Sequence, residues 1–280
     1  MFRTILALLA LPESGHVGPD NAVLDAVVAL ARSFGPQGGS VHLLHVRDRS
    51  RSFFSAPQPE PESLVTAALA LHAHNLKAEG IPAVARCRTG RLTEEVEHAV
   101  HELGVDLVVV GRPGRGWGDH GLRVVRLSDA PVLVMPEGTR LRRGRAVIGM
   151  DFSANALRAH AVASGFFESV CPVAVVDPEG EQTDVDTLRR HIEETWLSLA
   201  GPNPVALRIE ASPRPADALL AVAREADLLA VGSRGLTPLA AVLLGSTAEK
   251  LGARSPLPLL VYRDPGTRKG LFASFMGAAG

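Results

Sequence analysis

An internal repeat constrains this chain more than any other feature. Asp106-Leu-Val-Val-Val-Gly111, with Gly114 three residues on, matches Asp227-Leu-Leu-Ala-Val-Gly232, with Gly235 three residues on. Ala130-Pro-Val-Leu-Val134 matches Leu257-Pro-Leu-Leu-Val261 in the same way. The apolar run at 5–9 pairs with that at 146–150, and the run at 41–46 with that at 173–176. A unit recurring at this length is one folding pattern used twice, and 280 residues suit two domains of ordinary size.

Helical apolar spacing lies between the runs, at 21–34, 62–79 and 93–103 in the first half and at 154–168, 185–199 and 215–226 in the second. The strands read as continuous apolar runs, the pattern of a sheet covered on both faces. Strands alternating with helices imply right-handed crossovers and a parallel sheet. The expected fold is therefore α/β, two tandem Rossmann-like domains, each with a five-stranded parallel doubly wound sheet. The units divide as 1–137 and 144–264, with a flexible tail at 265–280. The connector at 136–145, carrying four arginines, reads as solvated.

Composition removes several functional classes. Hydrophobic content is 46% and charged content 21%, so each half can bury a core. A net charge of −1 gives no field for gathering nucleic acid or an anionic membrane surface. No apolar run approaches the ~18 residues that span a bilayer. Residues 4–11 follow a basic start, but Pro12 ends the run without a small-residue cleavage site, so this is read as a first strand rather than a secretion signal. Cys87 and Cys171 form no CxxC pair and suit reduced thiols in a cytoplasmic protein.

The richest local pattern lies at the end of the fourth apolar run of the second half. Gly232 and Gly235 are followed after nine residues by Gly245, Ser246 and Thr247. Glycines at a strand end let a ligand lie against bare backbone. A Gly-Ser-Thr turn opening a helix offers free N–H groups, hydroxyls and the positive end of a dipole, which suit phosphate. The same residues also have a purely structural reading. Ser246 and Glu249 form a capping box, Gly232 ends a strand, and Gly235 makes a turn. Asp151, at the end of the second half's first strand, can meet ribose hydroxyls or a metal, or can serve as an N-cap.

The pattern G-x2-G-x9-G-[ST] after a buried strand resembles the ATP-binding signature of universal stress proteins, and the resemblance covers nearly the whole chain as a tandem pair. It implies an adenine-nucleotide cleft and dimers joined through their last strands. Under it, Asp151 corresponds to the first-strand aspartate and Val175 to the valine whose backbone meets adenine. Gly232, Gly235, Gly245, Ser246 and Thr247 form the phosphate and ribose loop, with Arg234 placed to reach phosphate or solvent. The first half departs from the pattern: Val124 and Val125 are read in the places of the third glycine and its serine, and Ala10 or Leu11 replaces the aspartate. That half is expected to bind no nucleotide.

Other motifs carry less. Gly116-x-Gly118-x-x-Gly121 has the letters of a dinucleotide fingerprint, but it does not directly follow a strand. None of Lys77, Lys250 and Lys269 stands in a phosphate-loop context. His98 and His101 with Glu94 and Glu102 could share a helix face and hold a metal, although surface helices often carry such residues idly. His42 and His45 read as core or edge histidines. The expectation is a cytoplasmic ATP-binding sensor or regulator, not a dedicated enzyme. It holds one ATP per chain, with or without Mg²⁺, in the second half. The two halves pair internally, with a homodimer as a further assembly, and no nucleic acid or membrane partner is expected. The alternatives are a slow Mg²⁺-dependent ATP hydrolase using Asp151 and a nucleotide-free interaction module.

Overall fold

The computed structural model of the chain describes residues 2–11, 20–34, 38–48, 62–112, 118–178, 185–201, 204–232 and 246–263. The first half runs β1 (Thr4–Leu8), α1 (Asp20–Ala31), β2 (Ser40–Asp48), α2 (Glu62–Ala78), β3 (Ala83–Gly90), α3 (Leu92–Leu103), β4 (Leu107–Arg112), α4 (Gly118–Leu127) and β5 (Val132–Pro136). The second runs β6 (Arg145–Gly149), α5 (Ala154–Phe166), β7 (Ser169–Val176), α6 (Val185–Leu199), β8 (Arg208–Ala211), α7 (Pro215–Val222), β9 (Leu228–Gly232), α8 (Ser246–Arg254) and β10 (Leu259–Tyr262). A single 3₁₀ turn, Ala223–Glu225, follows α7.

All ten strands form one sheet in the order β3-β2-β1-β4-β5-β10-β9-β6-β7-β8. Within each half every pairing is parallel. The halves join where β10 runs antiparallel to β5, with Leu260 opposite Leu133. Val132, Leu133, Leu259 and Leu260 are all under 5% exposed, so this pairing covers two apolar edges that would otherwise invite uncontrolled association. One helical layer, α1, α2, α5 and α6, packs on one face through residues such as Val27, Leu69, Ala159 and Trp196. The other, α3, α4, α7 and α8, packs through Val96, Val125, Leu219 and Leu251. Both cores run unbroken across the β5–β10 seam.

The repeated aspartates have a structural task. Asp106 Oδ2 accepts from Arg3 N and Thr4 N at 2.8 and 3.0 Å, and Asp227 Oδ2 accepts from Arg145 N at 2.9 Å. Each carboxylate thus fixes the start of its half's first strand beside the fourth.

Two expectations are corrected here. The connector at 136–145 is not simply solvated. Pro136 ends β5, Leu141 is buried, and Arg143 lies 4.8 Å over the Phe166 ring while its Nε donates to Phe166 O at 2.9 Å. Arg140 faces Asp25 of α1 at 3.3 Å. Arg140, Arg142 and Arg143 are exposed as expected, but the contacts of Arg140 and Arg143 tie the connector to α1 and α5.

Val124 and Val125 are not the counterparts of the third glycine and its serine. They sit inside α4, 1% and 2% exposed, as core residues. Each of α4 and α8 is followed by a serine turn: Ser128 Oγ donates to Ala130 O, and Ser255 Oγ donates to Leu257 O. Aligned on these turns, Gly118, Asp119 and His120 stand opposite Gly245, Ser246 and Thr247. The connection from strand to helix is longer in the second half, so a constant offset through the loop misplaces the pair.

Candidate functional site

The first, central strand of the second half is β6. From it the chain winds outward one way through β7 and β8, then returns to β9 and β10 on the other side. The carboxyl ends of β6 and β9 therefore mark the point where winding reverses, the usual ligand crevice of such sheets. Register brings the expected residues to this rim. Gly149 pairs with Val231 on one side and Val173 on the other. Asp151 and Val175 each lie two residues beyond that level, and Gly232 lies one beyond. Asp151 is exposed, while Val175 and Gly232 are half-buried.

The turn from β6 into α5 is tightly specified. Ser153 is the N-cap, its Oγ accepting from Ala156 N at 3.2 Å. Asp151 Oδ1 accepts from Ser153 N at 3.0 Å and supports that cap from outside the helix. Between them Phe152 holds φ +60, a left-handed conformation uncommon for an aromatic residue. Asp151 is therefore not the N-cap: one of its oxygens braces the turn.

Gly232 has a local cause as well. A Cβ there would fall 2.5 Å from Ala156 N and 2.9 Å from the Asn155 carbonyl carbon. The bare strand end is what allows the first turn of α5 to rest against β9. The rim thus combines an exposed carboxylate, a glycine strand end and the start of α5.

The remaining candidates lie at or before the start of α8. Arg234, Gly235 and Gly245 fall outside the described residues. Ser246 is the first residue of α8, and Thr247, the second, is half-buried. From Glu249, in the same first turn, Oε1 accepts from Arg126 Nη2 of the first half at 2.9 Å.

The other end of α8 holds a residue that sequence reasoning missed. Arg112, at the end of β4, is only 5% exposed. Its Nη1 donates to Gly252 O and its Nη2 to Ser255 O at 2.5 Å, both at the C-terminal end of α8. Burial pulls this guanidinium below the usual arginine range, and among the described residues its Nε has no hydrogen-bond partner. The reciprocal contact comes from Arg263, whose Nη1 donates to Arg126 O at 2.9 Å and Ser128 O at 3.4 Å at the end of α4. In sequence these are single arginines, Arg112 as the last residue of β4 and Arg263 directly after β10, which no motif distinguishes.

The helix-face metal candidate does not assemble. His101 faces Asp129 at 3.2 Å, Glu94 faces Arg91 at 3.3 Å, and Glu102 pairs with Arg88. Among the described residues no group of three His, Cys, Asp or Glu side chains could hold a metal ion. His45 Nδ1 meets Leu9 O at 2.9 Å, and His42 Nε2 meets Ser40 Oγ at 3.3 Å, both on β2, an inner strand between β1 and β3. Among the described residues no helix is long and apolar enough to cross a membrane.

Two doubly wound halves, fused through their last strands and with the winding of the second reversed between β6 and β9, define a tandem protein of Rossmann-like units. The universal stress protein family profile matches residues 1–136 and again 143–263, and the chain belongs to that family. A curated universal stress protein of Thermus aquaticus, encoded beside a sulfhydrylase, is 35% identical over 98 residues, 32% of this chain and 70% of the relative. Two solved structures share the tandem fold over nearly full length. A universal stress protein of Archaeoglobus fulgidus has TM-score 0.67 at 22% identity, covering 93% of this chain and 98% of that one. A universal stress protein assigned in Pseudomonas aeruginosa has TM-score 0.71 at 16% identity, covering 96% and 97%.

Proposed function

We propose that this chain is a nucleotide-binding regulator that holds one ATP in the cleft of its second half. The observation that carries the reading is the convergence of Asp151, Val175 and Gly232 on three adjacent strand ends at the winding reversal, on the same half as a helix that opens with Ser246 and Thr247. The donor set suits the ligand. A carboxylate at a strand end can accept from ribose hydroxyls, and a helix N-terminus with two hydroxyl residues can meet phosphate oxygens. Mg²⁺, where it accompanies the nucleotide, would be held mainly by the phosphates. The family membership supports an adenine nucleotide as the ligand class and a cytoplasmic setting.

Binding rather than turnover is the better reading of Asp151. One of its oxygens is committed to Ser153 N, and a carboxylate bracing a turn is poorly placed to activate water. The role is then that of a sensor whose occupancy reports adenine nucleotide level.

The test is calorimetry of the intact chain with ATP, alone and with Mg²⁺, alongside Gly245→Val and Asp151→Asn. Wild type is expected to bind one ATP per chain. Gly245→Val should abolish binding by intruding a branched side chain where phosphate must approach, and Asp151→Asn should weaken it. Two ATP per chain, or unchanged affinity in Gly245→Val, would reject the assignment. Steady-state turnover near 1 per second or faster would instead favour the hydrolase.

A further inference from the structure

We infer that Arg112 is a positioning residue for the nucleotide site of the opposite half: it docks the far end of α8 and so sets the affinity at that helix's N-terminus. The inference rests on the nucleotide reading above. An α-helix leaves its last carbonyls unpaired and carries partial negative charge there. Arg112 supplies a buried cation to that end of α8, bonding Gly252 O and Ser255 O from across the seam. Its partners are carbonyls, so the bonds depend on where α8 sits rather than on a mobile acidic side chain.

The helix has nine residues, roughly 13 Å from end to end. Direct attraction between Arg112 and a phosphate at the other end is weak over that span. The rigid body of α8 is what can carry an effect. A second contact, Arg126 to Glu249, ties the first turn of the same helix to α4. Both ends of α8 are thus held by the half expected to bind no nucleotide. That half would keep a function after losing a ligand: it fixes the pose of the helix whose start meets phosphate. Arg263, directly after β10, holds the end of α4 in the same way, so the arrangement is mutual.

The experiment compares the wild-type chain with Arg112→Met, Arg112→Lys and Asp106→Asn. Methionine keeps stem length and apolar contact but removes both bonds. Lysine keeps the charge and can meet one carbonyl at a time. Asp106→Asn weakens the anchor of β1 in the first half and touches nothing on α8, so it matches general destabilisation without the latch. ATP affinity is measured by calorimetry well below each variant's Tm, and amide hydrogen exchange is followed across α8.

Arg112→Met is expected to weaken ATP roughly two- to thirtyfold, with Arg112→Lys between it and wild type and Asp106→Asn unchanged. Exchange at the start of α8 should quicken in the same order. Equal affinity in Arg112→Met and wild type overturns the inference, whether or not exchange changes. An equal loss in Asp106→Asn also overturns it, since the effect would then be general. If wild type binds no ATP, the nucleotide reading fails by itself. In that case faster α8 exchange in Arg112→Met alone keeps the latch, and unchanged exchange rejects it.

Discussion

Gly232→Ala separates the two reasons a glycine can stand at the end of β9. The first is packing. An added Cβ would lie 2.5 Å from Ala156 N, against roughly 3.5 Å for an ordinary contact, an overlap of about 1 Å. The atoms it meets are backbone, Ala156 N and Cα and Asn155 C, so no side chain can rotate away. The strand end or the first turn of α5 must move. That turn is fixed by the Ser153 cap and by Asp151 beneath it. The cost belongs with overpacked cores, about 2–3 kcal/mol, equivalent to a Tm drop of roughly 4–10 °C.

Urea denaturation and thermal scans of the nucleotide-free protein measure this directly. Gly165→Ala is the internal contrast. It sits in α5 itself, its added Cβ meets nothing within 4 Å, and alanine is the better helix former. That variant should gain about 0.5–1 kcal/mol. If nucleotide-free Gly232→Ala is as stable as wild type, the packing argument is wrong. The glycine would then be there for a ligand alone.

Further outcomes follow from particular contacts. Val124→Ala should cost about 1–3 kcal/mol, read from the urea midpoint, because the side chain is 1% exposed inside α4. Val124→Gly with Val125→Ser should confer no ATP binding on the first half by calorimetry, since neither residue stands at the helix start. Asp227→Ala should destabilise by about 1–3 kcal/mol in the same assay, leaving Arg145 N without its acceptor. His160 packs edge-on to Trp196, and burial lowers its pKa from the ordinary 6.5. The unfolded chain therefore binds the proton more readily. This contribution to stability is complete above pH ~6.5 and is lost as pH falls through the folded value. His160→Leu should flatten that acid limb of a Tm-versus-pH curve, and an unchanged limb would assign it to other groups.

Much of this fold was legible in the sequence because buried parallel strands announce themselves. β4 and β9 are apolar runs whose four leading residues are buried, and the matching aspartate before each gave the repeat its frame. The outer strands β3 and β8 were harder to place. Arg86 and Arg88 alternate through β3, and β8 is only four residues with two exposed ends. An edge strand has one neighbour and wears charge against aggregation, so it lacks the continuous apolar signal. Sequence spacing placed Asp151, Val175 and Gly232 at the rim where β6, β7 and β9 end, because register follows from strand ends. It failed at α4 because loop length changes without changing either flanking element. Arg112 was out of reach for another reason: its partners are carbonyls of another half, and backbone groups leave no trace in residue identity.

The division of labour between the halves follows from which contacts are duplicated. The carboxylate that anchors the first strand occurs twice, as Asp106 and Asp227. So does the serine turn closing the last helix, as Ser128 and Ser255. The arginine that crosses the seam also occurs twice, although Arg112 and Arg263 leave different points of their halves. An aspartate just beyond the first strand and the sequence Gly245-Ser246-Thr247 ahead of the last helix occur only in the second half. Contacts that hold the sheet together must be present in both halves, because the β5–β10 seam makes one sheet and each half buries the other's edge. A ligand site carries no such obligation. Under the proposed nucleotide reading one half can lack phosphate donors at no cost to the seam, while the arginines that cross it hold each last helix against the other half.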